Sequence, residues 1–355
     1  MNNHLKLKIM KKFLFLAIAA AAMTSCSQDE VLEVAQKEAI AFNNGFINNA
    51  TRAIDPSVTN TTVSQFNVWG TVTAEAGTAT TAIFANTNVT GTAGTGKTWN
   101  TVGVTQYWIE GAKYNFAGLI NAGTTVTTGN DNLPSTVTFT QDYTEEKDLL
   151  YARSTEIKGK ASGNSAVPMT FDHMLSKVGF KITNNNAANS KYTYKVTNIQ
   201  ITSGLATVGT ATISQDASKN NVYTWNNQGT NTTTPLAFGA AVAQNTTATN
   251  AAAEAIAEQA SMYSNNEHLL IPHTYNELTV AFTLETIVNG QTIKTNESVT
   301  KKATTAVTFN PGTYYMINIV LSVGEPIQFT VTSTETWSSP ATDVQTTTTT
   351  TTPAA

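Results

Sequence analysis

Apolar and polar residues alternate along most of the chain, the pattern of strands that bury one face. The alternating runs are short and rich in Thr and aromatic residues, and clusters of Gly, Asn and Thr separate them. The clearest runs are Val68–Val72, Ala82–Phe84, Tyr114–Leu119, Thr136–Thr140, Val178–Ile182, Tyr192–Ile201, Thr279–Thr286, Tyr314–Val323 and Ile327–Val331. Many short strands with regular turns favour β-sandwiches over a parallel sheet with crossover helices.

Three segments depart from this alternation. Asn250–Tyr263 is rich in Ala and lacks Gly and Pro, which predicts a helical insertion. Lys158–Ala166 is polar and contains two glycines, so it is the predicted boundary between two domains. The tail, residues 338–355, includes seven consecutive Thr residues, a composition typical of a disordered segment.

Composition narrows the possible functions. The chain has 355 residues, enough for two domains of ~100–200 residues each, and 41% of them are hydrophobic. Only 12% are charged, against a usual share of ~25%. The net charge is −4, and without the four lysines of residues 1–25 it becomes −8. Because an acidic chain lacks the basic face that nucleic-acid binding requires, we expect no nucleic acid among its partners.

The first 25 residues have the pattern of a secretory signal peptide. Four lysines precede an apolar run of ten residues, Phe13–Ala22, which is too short to span ~30 Å of hydrocarbon at ~1.5 Å per residue. Thr24 and Ser25 then stand before Cys26, the only cysteine of the chain. This arrangement resembles the lipobox of bacterial lipoproteins, in which the cysteine is diacylated and becomes the new N-terminus. The alternative is a plain secretory signal with an incidental cysteine.

One string matches a nucleotide-binding motif by its letters. Gly91–Thr98 fits G-x-x-x-x-G-K-[ST], the loop that binds phosphates at the N-terminus of a helix. That chemistry requires a strand before the loop and a helix after it. The residues that follow, Trp99–Val104, lack the pattern of a helix start. We therefore interpret the string as a turn between strands.

Candidate catalytic and metal-binding residues are few. The single cysteine excludes a disulfide framework and a Cys-based zinc site, and four histidines leave little material for a His-rich metal centre. Asp172 with His173, and His268 with His273, are candidates for a catalytic base or for metal ligands, but no third ligand lies near them in sequence. A G-x-S-x-G nucleophile elbow is also missing. We expect no enzymatic activity, no metal and no cofactor, and a structural role for His173.

Four aromatic residues allow two interpretations. Trp69, Trp99, Tyr107 and Trp108 are candidates for a platform that stacks on sugars. Aromatic residues at strand spacing belong more often to a hydrophobic core, and we favour that interpretation. The alternative interpretation, a sugar-stacking platform, would give the protein a function in glycan binding.

Several local motifs occur in a characteristic order. They are Ile40–Phe42, Thr51–Ala53, Phe66–Gly70, Ile83–Asn86, Trp99, Tyr107–Trp108, Tyr114–Ala117, Asp148–Ala152, Val167–Val178 and Phe309–Gly312. This series resembles the fimbrillin family (Mfa-like) of Bacteroidota, the pilins and accessory subunits of type V pili. The resemblance extends from the signal peptide to the last strand.

The resemblance implies an all-β fold with two transthyretin-like β-sandwich domains after a lipoprotein signal peptide. The strand pattern agrees with it independently. The implied organisation is a signal peptide at 1–25, a lipidated propeptide at 26–52, an N-terminal sandwich at 53–160, a C-terminal sandwich with a donor strand at 161–337 and a disordered tail at 338–355.

The resemblance also implies a maturation pathway. A trypsin-like surface protease would cut between Arg52 and Ala53, releasing residues 26–52 with their lipid and leaving residues 53–355. The neighbouring residues are small and polar, as in an exposed loop. Removing the segment that contains Ile40–Phe42 would leave an unpaired sheet edge beside an apolar groove.

A strand from a neighbouring subunit would then fill this groove. The candidate donor is the last strand, in which Ile327, Phe329 and Val331 face one side. A head-to-tail contact of this kind produces a filament rather than a closed ring. The tail after Ser338 is polar and unsuited to an apolar groove, which leaves open whether this chain donates a strand.

The sequence therefore predicts a structural subunit of a type V pilus, or fimbrium, that supports cell adhesion. We expect the lipid on Cys26 to hold it at the outer membrane before processing, and other pilin subunits to be its partners at the cell surface afterwards. The alternative is a non-polymerising cell-surface lipoprotein that binds glycans and keeps its lipid. In that case, replacing Trp99 or Trp108 by Ala would weaken sugar binding.

Overall fold

Strands form the regular secondary structure of the computed structural model, and the predicted all-β fold class is confirmed. No helix occurs among the described residues, and hence none that is long and apolar enough to cross a membrane. The described residues are 37–43, 46–47, 62–92, 98–121, 125–187, 190–227, 229, 231–242, 255–257, 260–264, 266–334 and 345–347.

The strands are numbered in chain order. Those of the first half are β1 (Phe42–Asn43), β2 (Phe46–Ile47), β3 (Gln65–Thr73), β4 (Thr80–Thr90), β5 (Thr98–Thr101), β6 (Lys113–Ile120), β7 (Thr125–Thr128), β8 (Pro134–Thr140), β9 (Leu150–Lys158), β10 (Thr170–His173), β11 (Ser176–Asn184) and β12 (Tyr192–Ile201). Those of the second half are β13 (Val208–Gln215), β14 (Asn221–Asn227), β15 (Leu236–Gly239), β16 (Ala241–Val242), β17 (Ser261–Ser264), β18 (His268–Leu270), β19 (His273–Tyr275), β20 (Thr279–Val288), β21 (Gln291–Lys302), β22 (Val307–Phe309), β23 (Tyr314–Leu321), β24 (Gln328–Thr334) and β25 (Gln345–Thr347). Each of the nine alternating runs overlaps one of these strands.

The helix predicted over Asn250–Tyr263 is wrong at its C-terminal end. Ser261–Ser264 forms β17, which pairs antiparallel with β11 and buries Met262. The Ala-rich composition favours a helix locally, but the pairing with β11 and the burial of Met262 outweigh that weak preference. Residues 250–254 and 258–259 lie outside the described residues.

The first sheet has the order β1-β5-β4-β3-β6-β9-β10-β2, so short strands of the N-terminal segment lie at both of its ends. β1 pairs antiparallel with β5, and β2 pairs parallel with β10. Because only two residues separate β1 from β2, the two ends of the sheet approach each other, and the sheet curls around an aromatic core. This core contains Phe42, Phe66, Phe84, Trp99, Tyr114, Phe116 and Phe171.

The second half of the chain builds two sheets around another core. In one, the order is β16-β17-β11-β23-β24-β25, with β18 also on β11, and β11 runs parallel to β23. In the other, the order is β15-β12-β20-β21. The buried residues of this core include Val178, Phe180, Ile199, Phe282, Ile317 and Phe329.

A further sheet, β14-β13-β8-β7, joins strands from both sides of residue 160, since β8 pairs with β13. Its buried residues share a cluster with Ala117 and Leu119 of β6, whereas Phe116 of the same strand belongs to the aromatic core. Strand β6 is therefore buried on both faces. The division into two transthyretin-like domains at residue 160 stays a prediction.

Candidate functional site

Residues 38–43 and 46–47, which we call the N-terminal insert, are bound along one side to the loop after β5. The N–H of Ile40 donates to the carbonyl of Gln106 at 2.8 Å, and the N–H of Trp108 donates to the carbonyl of Glu38 at 3.0 Å. Strand β1 continues this contact by pairing with β5. The insert thus adds a strand to one end of the first sheet.

Along its other side the insert contacts the segment that leads into β10. The N–H of Val167 donates to the carbonyl of Ala41 at 2.8 Å, and the N–H of Asn43 donates to the carbonyl of Val167 at 2.7 Å. Strand β2 then pairs with β10. The insert consequently closes the seam between the two ends of the sheet through main-chain hydrogen bonds on both sides.

Phe42 is the main apolar contact of the insert. Its side chain is fully buried, and its ring centroid lies 5.8 Å from that of Phe66, 6.1 Å from that of Phe84 and 5.6 Å from that of Phe116. Two of these ring pairs are edge-to-face, a favourable arrangement for aromatic side chains. Phe42 therefore completes the aromatic core from outside the strands β3, β4 and β6.

Glu38 adds a polar contact at the start of the insert. Its carboxylate accepts the N–H and the side-chain amide of Asn164 and the N–H of Gly163, each at 2.7 Å. These bonds, chiefly the one from the Asn164 N–H, hold the pKa of Glu38 below its ordinary value. They connect the insert to the loop 159–166.

The predicted processing and lipidation residues lie outside the described residues: Cys26, Arg52 and Ala53. The insert itself lies between Cys26 and Arg52 in the sequence. Its contacts are main-chain hydrogen bonds and a buried aromatic side chain. An extended strand from any source binds a sheet edge by these means.

The predicted donor residues Ile327, Phe329 and Val331 belong to the C-terminal core of their own chain. Phe329 is fully buried, Val331 is 6% exposed, and Ile327 packs against the same cluster. Strand β24 pairs antiparallel with β23 from Tyr314 to Val320, and β25 pairs with its other edge. The predicted alternation of this strand is confirmed, and its role as a donor stays a prediction.

His173 and Asp148 form a buried pair. The Nδ1 atom of His173 lies 2.7 Å from Oδ2 of Asp148, and both side chains are almost fully buried. The pair links the end of β10 to the segment before β9. Among the described residues, no group of three or more His, Cys, Asp and Glu side chains is arranged to hold a metal ion.

A buried ion pair involves Lys177, in the same motif as His173. The Nζ atom of Lys177 lies 3.0 Å from Oε2 of Glu267, and the Lys177 side chain is fully buried. The hydroxyl of Tyr314 donates to Oε1 of Glu267 at 2.7 Å, and Nζ of Lys177 lies 5.3 Å from the Tyr314 ring centroid. These contacts of the motif residues thus connect neighbouring strands within one sheet: β10 with the segment before β9, and β11 with β23 and the segment before β18.

His268 joins the segment between β8 and β9 to strand β18. One ring nitrogen faces the Glu146 carboxylate, and Nε2 lies 2.9 Å from the Ala237 carbonyl. The other oxygen of Glu146 accepts the Leu269 N–H at 2.9 Å. Burial disfavours a charge on His268, but the hydrogen bond and charge of Glu146 outweigh it and raise the pKa of the imidazole. Both ring nitrogens face acceptors, so the protonated ring satisfies the site.

The thermal stability of the protein is expected to fall as pH rises above about 6.5, the ordinary pKa of histidine. The raised pKa of His268 means that its contribution is complete below that pH and is lost as pH rises through the folded-state pKa. Calorimetry between pH 6 and 9 should show a steeper decline in Tm for the wild type than for His268→Gln. Equal slopes would contradict this assignment.

His273 provides the matched control. Burial lowers its pKa, so its contribution is lost as pH falls below about 6.5, the opposite direction. Between pH 7 and 9, His273→Gln should therefore follow the wild-type decline.

The phosphate-loop string is followed by a strand. Strands β4 and β5, on either side of residues 91–97, pair antiparallel, which confirms that the structural context is a connection between strands. A Cβ atom at Gly91 would lie 2.4 Å from the ring of Trp99. Glycine is therefore required there by the packing of that indole. Residues 93–97 lie outside the described residues.

The alternative prediction of a sugar-stacking platform is wrong for the three tryptophans. Trp69, Trp99 and Trp108 are 4%, 0% and 7% exposed, and only Tyr107, at 45%, is open to solvent. Their assignment to the core is confirmed. The structure offers no stacking surface at Trp99 or Trp108 for a sugar.

Sequence reasoning missed the partners of the buried charges. Glu146 and Glu267 lie in segments that carry no motif, and each is more than 80 residues away from the basic side chain with which it pairs, His268 and Lys177 respectively. No local pattern indicates such a pairing.

Comparisons with known proteins found a matching family model and solved structures with a similar fold. A family model described as fimbrillin-like matches residues 51–337. A fimbrial protein from Bacteroides vulgatus is similar with 14% identity and a TM-score of 0.55, covering 84% of this chain and 99% of that one. At this identity the likeness shows the fold alone. No curated protein sequence matches the chain.

Two further solved structures are also similar, but their TM-scores are below 0.5, so no conclusion about this chain is based on them. One, from Bacteroides uniformis, has a suggested role in cell adhesion; it is 16% identical, with a TM-score of 0.42, covering 86% of this chain and 99% of that one. The other is a fimbrial assembly protein from Parabacteroides distasonis, 12% identical, with a TM-score of 0.40, covering 83% of this chain and 95% of that one.

Proposed function

The chain belongs to the fimbrillin-like family, and on that premise we propose that it is a structural subunit of a type V pilus. It is exported as a lipoprotein, cleaved after Arg52 and assembled by β-strand exchange, and it supports cell adhesion. Membership of the family supports a pilus-type or adhesion role at the cell surface. Before cleavage, two acyl chains on Cys26 hold the precursor at the outer membrane, since two chains anchor stably where one is marginal.

The N-terminal insert is the observation that carries this proposal. It precedes Arg52, and it is bound as a separate strand between the two ends of the first sheet. Cleavage by a trypsin-like protease separates the insert from residues 53–355. Its departure opens an apolar groove at Phe66, Phe84 and Phe116 and leaves two unpaired edges.

A strand from a neighbouring subunit fills that groove and replaces the hydrogen bonds of the insert. If β24 is the donor, Ile327, Phe329 and Val331 must leave their own core. Burial of an apolar side chain is worth about 1.5–3 kcal/mol, so the loss is recovered only when the same side chains are buried again in the neighbour. A head-to-tail exchange of this kind extends into a filament.

The N-terminus of the protein from intact cells tests the processing step by mass spectrometry. Chains in assembled fibres are expected to begin at Ala53 and to carry no lipid. Arg52→Ala should retain residues 26–52 and stay out of fibres. Lys160→Ala, which removes an exposed basic residue from a loop, should leave processing unchanged. Fibres made of chains that begin at acylated Cys26 would overturn the proposal.

An engineered disulfide that reversibly locks β24 to β23 tests whether β24 is the donor strand. Val320 and Gln328 lie directly opposite on β23 and β24 and neither is fully buried, so cysteines at both positions are placed to form a disulfide. The locked chain is expected to fold but not to donate β24, and a reducing agent should restore assembly. Deletion of β24 is a weaker test, because it also removes buried side chains.

The control lock joins β20 to β21. Thr286 and Lys294 also lie directly opposite, on strands that the proposal does not move. Cysteines there should leave assembly unchanged. If both locked chains assemble normally under oxidising conditions, β24 is not the donor.

A further inference from the structure

A cleft of about 470 Å³ lies beside β14, the terminal strand of its sheet. Strand β14 forms one wall, and the β19–β22 pair with Asn310 and Pro311 forms the other. Its volume lies within the ~300–1,000 Å³ of small-molecule sites. It lies apart from the N-terminal insert, and none of its lining residues belongs to the proposed assembly machinery.

Trp225 supplies a fixed aromatic surface in this cleft. Its Nε1–H donates to the Met174 carbonyl at 2.9 Å, which sets the orientation of the indole. The ring lies against Gly209, where a Cβ atom would approach it to 2.9 Å. Because glycine lets the indole lie close to the sheet, one face is packed and the side chain remains partly exposed.

The rest of the lining is uncharged and combines Tyr223, Pro272, Phe309 and Pro311 with polar residues, including the exposed Thr308 and Asn310. Thr224 and Asn226 alternate with Trp225 along β14, so their side chains point to the other face of the strand. None of the lining residues is Asp, Glu, Lys or Arg. His273 is the one titratable group besides a tyrosine in this lining, and burial lowers its pKa, which keeps it neutral at pH 7. Such a lining opposes phosphorylated or carboxylated ligands, which require cationic partners.

We infer that this cleft binds a neutral saccharide, with one sugar face stacked on Trp225 and the hydroxyl groups hydrogen-bonded to the amides and hydroxyls of the opposite walls. Amide side chains donate and accept, as sugar hydroxyls do, so they match a ligand of dense hydroxyl groups. An extended peptide on the β14 edge would instead require apolar pockets for alternate side chains. Pro272 and Phe309 are buried, so the apolar surface that the cleft offers consists of Trp225 with Tyr223 and Pro311.

A neighbouring cleft of about 640 Å³ provides an internal comparison. It shares Tyr223 and Pro311 with the first but is lined by Arg153, Lys219 and Asp172. A sialylated sugar would favour the cationic side chains there. Selectivity for neutral over acidic sugars therefore identifies which of the two clefts is occupied.

The test is a titration of the full-length, uncleaved protein, so its outcome does not depend on pilus assembly. The probes are methyl glycosides of glucose, galactose, mannose and N-acetylglucosamine, with sialyllactose as the acidic comparison, followed by tryptophan fluorescence and saturation-transfer NMR. We expect at least one neutral glycoside to bind with a Kd on the order of 1 mM, as for a small ligand with few contacts.

Three variants assign the site. Asn310→Ala is expected to weaken binding at least fivefold, and Trp225→Phe should remove the fluorescence response while retaining part of the affinity. Asn100→Ala, an exposed asparagine on β5, is the matched control and should bind like the wild type. None of these variants removes a fully buried side chain, so each is expected to fold.

The inference is overturned if no neutral glycoside binds, if binding is unaffected by Asn310→Ala and Trp225→Phe, or if only sialyllactose binds. A failure of pilus assembly in the experiments above, with saccharide binding intact, would contradict the proposed function and leave this inference standing.

Discussion

Replacing Phe42 by Ala is expected to lower the free energy of unfolding of the uncleaved protein by about 3–5 kcal/mol, as measured by denaturant titration. Phe42 is fully buried and contacts Phe66, Phe84 and Phe116. Its removal leaves a cavity in a close-packed aromatic core that strands on three sides hold in place. The loss therefore includes both the burial of the ring and the cavity.

Val102→Ala is the control, because Val102 is 52% exposed and its truncation should change the free energy of unfolding by less than about 0.5 kcal/mol. If Phe42→Ala lowers the free energy of unfolding by less than about 1 kcal/mol, the insert does not complete the aromatic core.

The same side chain connects stability to assembly. A chain that begins at Ala53 lacks the insert, and a synthetic peptide of residues 37–47 is expected to bind it and raise its Tm. The peptide with Phe42→Ala should have little effect, since it keeps the main-chain hydrogen bonds but not the aromatic anchor. Equal stabilisation by both peptides would mean that the groove does not select the ring.

Replacing Glu267 by Gln is expected to destabilise the protein by about 3–5 kcal/mol, because it removes the negative charge that faces the buried ammonium of Lys177. Glutamine keeps an oxygen that accepts the Tyr314 hydroxyl, so the change isolates the charge from the hydrogen bond. Chemical denaturation of the purified variant measures the effect.

Two companion variants sharpen this result. The double variant Lys177→Met with Glu267→Gln should recover most of the lost stability, since it removes both buried charges. Glu75→Gln breaks an exposed pair with Lys158, whose side chains are 68% and 63% exposed, and should cost less than about 1 kcal/mol. If Glu267→Gln and Glu75→Gln lower the free energy of unfolding equally, burial of the Lys177 pair does not affect stability.

The strands were predictable because alternation is a local property. In β12, Tyr194 and Val196 are buried on one side of a register shift and Ile199 and Ile201 on the other, and β24 buries Phe329 and Val331 as its pattern indicates. The helix at Asn250–Tyr263 failed because composition measures only a local preference. Pairing with β11 places Met262 in the core, and this non-local contact determines the structure of residues 261–264.

The candidate site was predictable in part. The Ile40–Phe42 motif marked the segment that forms the insert, but neither its contact with Val167 nor its position at both ends of one sheet follows from local sequence. The cleft at Trp225 had no sequence signal at all. Its walls come from strands that are separated by more than 40 residues.

By itself, the sequence determined the all-β class, the positions of the main strands and, for half-buried strands such as β24, the side that is buried, because a period of two residues is encoded in neighbouring positions. The tertiary structure decided which edges meet, where the insert binds and which carboxylate faces each buried cation. The free N–H and C=O groups of a strand are chemically alike at every residue, so the sequence of a strand does not specify which other strand it pairs with. The partner is selected by packing on both faces of the sheet, which depends on residues far away in the chain.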